Sequence, residues 1–256
     1  MGTDNGEQNS FGGFLPVGPV RDNDSVHVWP FRLDRPALFV DKLKHFLSPD
    51  ELARAGRIYF ERDRRRFIVS RGLLRVLLGR YLDTAPDRLR FGYGACRKPA
   101  LAEMPGGCAL HFNLSRTRGM VVYAVTRRGE IGVDLEYVRP VSGAARIAGR
   151  YFAGAEKKRM QMLPEDKRKE AFFRLWTCLE AYLKATGAGL SCLPGRFGIS
   201  RAPGEAARPL VYIDGKATEA AGWFLYEFSP ATGYIAAVCA AGSGSAGGAP
   251  LIMPLL

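Results

Sequence analysis

The spacing of apolar and polar positions marks two helical stretches separated by strands. Ser48-Pro49-Asp50-Glu51 has the form of a helix start, with Ser as N-cap, Pro in the first helical position and Glu completing a capping box. Helical periodicity then runs through Arg66-Phe67-Ile68 and Leu73-Leu74 to Leu82, in one or two segments. Phe112 to Ser115, Met120 to Val125 and Glu130 to Glu136 read as short strands, the last two joined by the turn Thr126-Arg127-Arg128-Gly129. A second helical stretch begins near Glu156, is punctuated at Pro164, and runs from Glu165 to about Thr186, with Gly187 as its C-cap.

The two helical stretches can be laid over each other. Glu51 pairs with Glu156, Phe67 with Phe172 and Arg75 with Glu180, all at one offset of 105. The offset then drifts, as loops of unequal length require. Phe91-Gly92 pairs with Phe197-Gly198, Lys98-Pro99 with Arg208-Pro209, and Leu114-Ser115…Gly119 with Phe228-Ser229…Gly233. The expected fold is α+β, with two similar subdomains, 25–127 and 128–240, related by pseudo-twofold symmetry and an active site at their interface. Residues 1–24 are expected to form a flexible N-terminal segment and 241–256 a flexible tail, although the closing LIMPLL is apolar enough to dock.

Composition narrows the class. Of the 256 residues 47% are hydrophobic, with 15 Phe, 10 Tyr and 3 Trp, which excludes general disorder. Trp176, Trp223 and Tyr226 read as core. The net charge of +12 calls for an anionic partner: nucleic acid, a phosphorylated cofactor, an acidic protein or a membrane surface. Five cysteines without a C-x-x-C pair argue against a disulfide framework and against a zinc knuckle, and fit a reducing cytoplasm. The longest apolar run, Tyr234 to Ala241, is too short to span a bilayer.

Few residues remain for chemistry. With three His and no H-E-x-x-H, G-x-S-x-G or P-loop signature, carboxylates and bases are left. In Gly132-Val133-Asp134-Leu135-Glu136 the acids stand at i and i+2, so a strand projects both to one face. Their repulsion would be relieved by a divalent cation such as Mg²⁺, which binds carboxylate oxygens and keeps positions open for water and phosphate; the alternative is a solvated edge strand. Glu180 and Lys184, at i and i+4 on one helix face, add a third acid and a base, or an ordinary surface ion pair. In the run Arg62-Asp63-Arg64-Arg65-Arg66 the side chains fan by about 100° per residue, so most are solvated surface. Arg66, with Arg71 a turn later, is the choice for contact with phosphate or an acidic partner helix.

Three blocks, G-V-D-L-E (Gly132 to Glu136), F-F-R-L-W-T-C-L-E-A-Y-L-K-A-T-G (Phe172 to Gly187) and F-N-L-S (Phe112 to Ser115), resemble the signatures of the 4′-phosphopantetheinyl transferase superfamily. The chain is most similar to the longer monomeric type that acts on nonribosomal peptide and polyketide synthases. Weaker matches lie at Arg64 to Arg75 and Arg97 to Pro99. The resemblance implies that Asp134, Glu136 and Glu180 hold Mg²⁺ on the coenzyme A pyrophosphate, with Glu180 as general base and Lys184 at the phosphates. It implies that Arg75 lies near the 3′-phosphoadenosine end, and that Lys98, Ser115 and Arg116 contribute to the coenzyme A site. The implied partner is an acidic acyl or peptidyl carrier protein, whose serine receives phosphopantetheine as 3′,5′-ADP departs. The implied protein is a cytoplasmic monomer that engages neither nucleic acid nor membrane. Two positions depart from the pattern: Arg116 stands where the family has His, and Leu179 where it has Lys. They motivate an alternative, a protein that binds coenzyme A or carrier with reduced or lost transfer.

Overall fold

The computed structural model describes residues 25–93, 98–102, 109–193, 196–201, 209–213, 222–241 and 249–256. The chain opens with β1 (His27–Arg32), α1 (Ala37–Lys44), α2 (Pro49–Gly56) and α3 (Glu61–Leu82), followed by β2 (Phe91–Tyr93), β3 (Pro99–Leu101), β4 (His111–Thr117) and β5 (Met120–Thr126). It continues with β6 (Ile131–Tyr137), α4 (Ala144–Tyr151), α5 (Gly154–Met162) and α6 (Glu165–Thr186). Then come β7 (Phe197–Arg201), β8 (Pro209–Ile213), β9 (Trp223–Phe228) and β10 (Tyr234–Ala241), with β11 (Leu251–Ile252) last. From β6 to β10 the succession of elements repeats that from β1 to β5, and each run contains one 22-residue helix, α3 or α6. Sheet order repeats too: β1-β5-β4 in one sheet, β6-β10-β9 in the other, all antiparallel pairs. Gly119 and Gly233, matched in the sequence overlay, both turn hairpins at left-handed φ, +79° and +80°.

The strand period of two decides where the layers go. On β5, Val121, Tyr123 and Val125 pack against α1–α3, while Met120, Val122 and Ala124 face the other way. They meet Ile131, Val133 and Leu135 of β6 and Ala236 and Val238 of β10, forming an apolar layer shared by the two sheets. The opposite face of the second sheet, with Ile235, Ala237 and Cys239, lies under α6. Gly132, Asp134 and Glu136 therefore fall on the α6 side of β6.

The first helical stretch is two helices. Arg57 ends α2 and Phe60 is extended, interrupting the helix through Ile58-Tyr59-Phe60. Glu51 accepts the Ser48 amide at 3.2 Å, as a capping box requires, and Gly187 ends α6 at φ +73°. Trp176, Trp223 and Tyr226 are half-buried at the core margins rather than inside. β1 is not among the elements expected from the sequence, and it carries Pro30, a residue that has no amide to give a central strand. It is accommodated between β5 and β11, where the Pro30 carbonyl accepts the Leu256 amide at 3.3 Å.

Of the segments expected to be flexible, 1–24 and 242–248 lie outside the described residues. The end of the chain differs from a flexible tail. Leu251–Ile252 pairs in parallel with β1, and Met253 and Leu256 pack on the first core. Burial of apolar side chains and backbone pairing together hold it there. Among the described residues, no helix is long and apolar enough to cross a membrane.

Candidate functional site

Asp134 lies where β6, β4 and α6 converge. It is 6% exposed, and its Oδ1 accepts hydrogen bonds from Ser115 Oγ at 2.9 Å and Lys184 Nζ at 2.7 Å. Lys184 Nζ also donates to Ser115 Oγ and to the Val133 carbonyl, both at 3.2 Å. The second oxygen, Oδ2, is buried without a hydrogen-bond partner. Three residues from distant parts of the chain thus share one network, and one carboxylate oxygen is left open.

Two backbone features make this convergence possible. Gly132 lets α6 settle on β6, since a Cβ there would stand 2.1 Å from the Ala181 carbonyl oxygen and 2.3 Å from the Ala185 nitrogen. Asn113 fastens β4 to β6: its Oδ1 accepts the Val133 amide at 3.0 Å and is buried. Alternation along β4 then turns Ser115 to the same side as Asn113.

The other acids feel Asp134. Burial pushes the Glu136 and Glu180 carboxyls above their ordinary values, and the charge of Asp134 raises both further; Lys184 pulls in the opposite direction. Arg139, at 3.3 Å from Glu136, offsets part of the effect. Among the described residues, no group of three or more His, Cys, Asp and Glu forms a ready-made metal cage. Mg²⁺ does not demand one, because it usually takes one or two carboxylates and completes its shell with water and substrate phosphates. The open, buried Asp134 Oδ2 and the mutual repulsion of the acids fit such a cation.

A second cluster is cationic. The guanidinium carbons of Arg54, Arg71 and Arg116 stand 5.5, 5.9 and 5.8 Å from the Phe67 ring centroid. The Arg116 guanidinium is held below its ordinary value, first by desolvation and also by the neighbouring charges of Arg71 and Arg54. Three cations gathered over one ring give this face a positive potential. Because Arg116 follows Ser115 on β4, alternation turns it to the opposite face of the strand, toward Phe67 of α3, while Ser115 faces Asp134.

The remaining expected residues fall at the margins or elsewhere. Arg66 is bidentate to Asp34 at 2.7 and 2.8 Å, beside a cavity of about 300 Å³ that Phe67, Arg116 and Gly119 also line. Lys98 Nζ donates to Glu130 at 2.8 Å and to the Ile131 carbonyl at 3.1 Å, at the start of β6. Arg97 lies outside the described residues. Arg75 is not brought to either cluster. It is 1% exposed, donates to Glu51 at 2.7 Å and to the carbonyls of Pro86 and Leu89, and lies over Phe91. Its charge and donors are engaged by Glu51 and by these two carbonyls inside the α2–α3 packing. Leu179 is fully buried in the second core. Sequence reasoning missed Arg54, which no motif marks, and the roles of Asn113 and Gly132, which lay inside quoted motifs.

Residues 130–239 match the 4′-phosphopantetheinyl transferase superfamily, and residues 39–128 match the N-terminal region of 4′-phosphopantetheinyl transferases. The chain is 41% identical over 222 residues to the 4′-phosphopantetheinyl transferase HetI of Nostoc sp., covering 87% of this chain and 90% of that protein. The chain belongs to the 4′-phosphopantetheinyl transferase superfamily. It is also 37% identical to a putative 4′-phosphopantetheinyl transferase of Synechocystis sp., over 64% of this chain and 65% of the relative. To the 4′-phosphopantetheinyl transferase Sfp of Bacillus subtilis it is 27% identical, over 65% of this chain and 72% of Sfp.

Proposed function

We propose that the chain moves the 4′-phosphopantetheine group of coenzyme A onto a serine of an apo acyl or peptidyl carrier protein, releasing 3′,5′-ADP. The observation that carries this reading is the Asp134 network, in which a buried carboxylate with one open oxygen stands beside a lysine and two further acids. Phosphoryl-type transfer needs positioning and charge neutralisation more than covalent catalysis, and this kit is sufficient for it.

In this reading Asp134, Glu136 and Glu180 would hold Mg²⁺, which when bound neutralises pyrophosphate charge. Lys184 is placed to meet phosphate oxygens, and Ser115 keeps Asp134 and Lys184 in register. Arg116, Arg71 and Arg54 take the 3′-phosphate, a task for which a guanidinium is well suited in place of the family's His. Arg66 and Lys98 flank the same nucleotide. Glu180, its carboxyl raised by burial and by Asp134, accepts the proton of the carrier serine hydroxyl. The serine oxygen bonds to the β-phosphorus as the bond to the departing 3′,5′-ADP breaks.

The repeated element order and matching sheet orders support two subdomains, 25–127 and 128–240, related by a pseudo-twofold axis with the site between them. The free, buried Cys178 and Cys239 agree with a cytoplasmic protein, here taken as a monomer. The test is incubation with an apo carrier, coenzyme A and Mg²⁺, followed by intact mass. One phosphopantetheine increment is expected, and it is lost in Asp134→Ala that still folds. No increment on a panel of carriers refutes the transferase reading. Calorimetric binding of coenzyme A without turnover assigns the chain to the binding-only alternative.

A further inference from the structure

The two sides of β1 are covered in different ways. Backbone groups alternate sides along a strand, and on β1 those of the even-numbered residues point away from β5. There the carbonyls of Val26, Val28 and Pro30 accept the amides of Leu251, Met253 and Leu256 at 2.8, 2.9 and 3.3 Å. The Arg32 amide donates to the Leu256 carbonyl at 2.9 Å. Residues 251–256 thus cover the whole outer edge of β1.

Their register is fitted to one residue. Between the Leu251–Val26 and Met253–Val28 bonds both chains advance by two, as a parallel ladder requires; between Met253–Val28 and Leu256–Pro30 the segment advances by three and β1 by two. The extra residue falls where the Pro30 ring replaces the amide that the Met253 carbonyl would otherwise meet. Met253 and Leu256 pack on the first core and Leu255 on the layer shared by the sheets, whereas Leu251 and Ile252 are 48% and 37% exposed. The regular pairing is only two residues long, and Pro254 has no amide to offer a further strand on the far side.

The segment is also tethered. The strand before it, β10, belongs to the other sheet, and the Ala241 amide is bonded to the Glu130 carbonyl at the start of β6. The nine residues 242–250 reach about 30 Å when extended. Leu251 stands two strands from Val125, about 10 Å, so the tether has slack. A tether of this length supplies an effective concentration on the order of 1 mM, enough to keep a weak ligand seated.

We propose that the outer edge of β1 is a strand-addition site for an extended apolar peptide carrying one extra residue opposite Pro30, and that residues 251–256 are its resident ligand, able to leave. Main-chain bonds to alternate carbonyls supply affinity, and the seats of Met253, Leu255 and Leu256 supply selection. A regular strand, of a second copy or of another protein, sets a carbonyl against the Pro30 ring and is disfavoured.

The test opens the chain after it has folded. A protease recognition sequence inserted between Gly244 and Ser245 allows the segment to be cut from the folded protein, and a labelled synthetic peptide of residues 247–256 is then added. The cut segment is expected to separate on gel filtration, and the emptied protein to bind the labelled peptide with half-saturation below about 1 mM. The uncut protein should bind it more weakly by a factor on the order of ten or more, because its own segment competes. Tm of the emptied protein should rise with peptide concentration. A peptide with Met253→Asp and Leu256→Asp, and one with residues 251–256 in reverse order, should each bind about ten-fold more weakly or worse. A cut segment that stays with the protein and is never replaced by labelled peptide is a permanent strand and overturns the proposal, as does a protein that unfolds on cutting. Equal binding of the reversed peptide makes the edge an unselective apolar surface and also overturns it. An emptied protein that pairs with a second copy, and that the peptide does not return to monomer, assigns the edge to self-association instead. None of these readouts uses coenzyme A or a carrier protein, so they stand apart from the transferase reading.

Discussion

Gly132→Ala tests whether the contact between α6 and β6 sets the geometry of the acid cluster. The new Cβ would meet only backbone: 2.1 Å from the Ala181 carbonyl oxygen, 2.3 Å from the Ala185 nitrogen and 2.8 Å from the Lys184 carbonyl carbon. No side chain can rotate away, so α6 must recede by about 1 Å before the tightest contact becomes tolerable. Overpacking of this kind costs about 1–3 kcal/mol, which for a chain of this size lowers Tm by about 2–12 °C. The same displacement lengthens the 2.7 Å bond between Lys184 and Asp134 and the 3.2 Å bond to the Val133 carbonyl beyond good hydrogen-bonding range. Misplacement by about 1 Å is worth on the order of 10²-fold in rate. Transfer kinetics and thermal denaturation of Gly132→Ala check both effects. Gly149→Ala is the control: it sits inside α4 with nothing within 4 Å of its added Cβ, and should gain about 0.5–1 kcal/mol. A Gly132→Ala protein with parental Tm and kcat/KM would refute the positioning role.

Glu180 has a raised carboxyl, so it binds its proton more tightly folded than unfolded, and its ionised form destabilises the fold above that raised value. Glu180→Gln, in chelator-containing buffer, should therefore have a higher Tm than the parent at pH 7. The difference should disappear as pH falls through the raised value into the ordinary carboxylate range; a lower Tm at pH 7 contradicts the electrostatic reading. Arg75→Ala breaks a pair with both side chains 2% exposed, at about 3–5 kcal/mol, seen as a large fall in denaturant midpoint with little change in KM for coenzyme A. Arg116→Ala should do the reverse, raising KM for coenzyme A about ten-fold or more with a small effect on stability. Deleting Leu251–Leu256 removes at least four backbone hydrogen bonds to β1 and its flanks and takes Met253 and Leu256 off the first core, which should lower Tm by several degrees, on the order of 1–3 kcal/mol.

How much of this was legible in the sequence varied with the range of the cause. The capping box at Ser48, the Gly187 cap, and the i, i+2 acids of β6 depend on neighbours within a few residues, so spacing alone reports them. The repeat was legible because equivalent elements recur in order, and its Gly119 and Gly233 marks both prove to be hairpin turns. Strand β1 was not, because its stability comes from β5 and β11, both distant in sequence, which override the local preference of Pro30. Arg75 shows the same limit at a side chain. Its sequence position equals that of Glu180 in the second helix, yet α2 supplies Glu51 to neutralise it, and burial with a partner is a property of packing rather than of spacing.

The sequence by itself determined the helices and strands that carry local signals, the basic balance, and the set of acids and bases that suits phosphate chemistry. Only the tertiary structure decided which of them meet. Ser115, Asp134 and Lys184 are brought together because Gly132 lets α6 lie on β6 and Asn113 fastens β4 alongside. Arg54 joins Arg71 and Arg116 over Phe67 because α2 packs on α3. Electrostatic and hydrogen-bonding energies depend on distances of a few ångströms between residues tens of positions apart, and those distances exist only once the layers have packed.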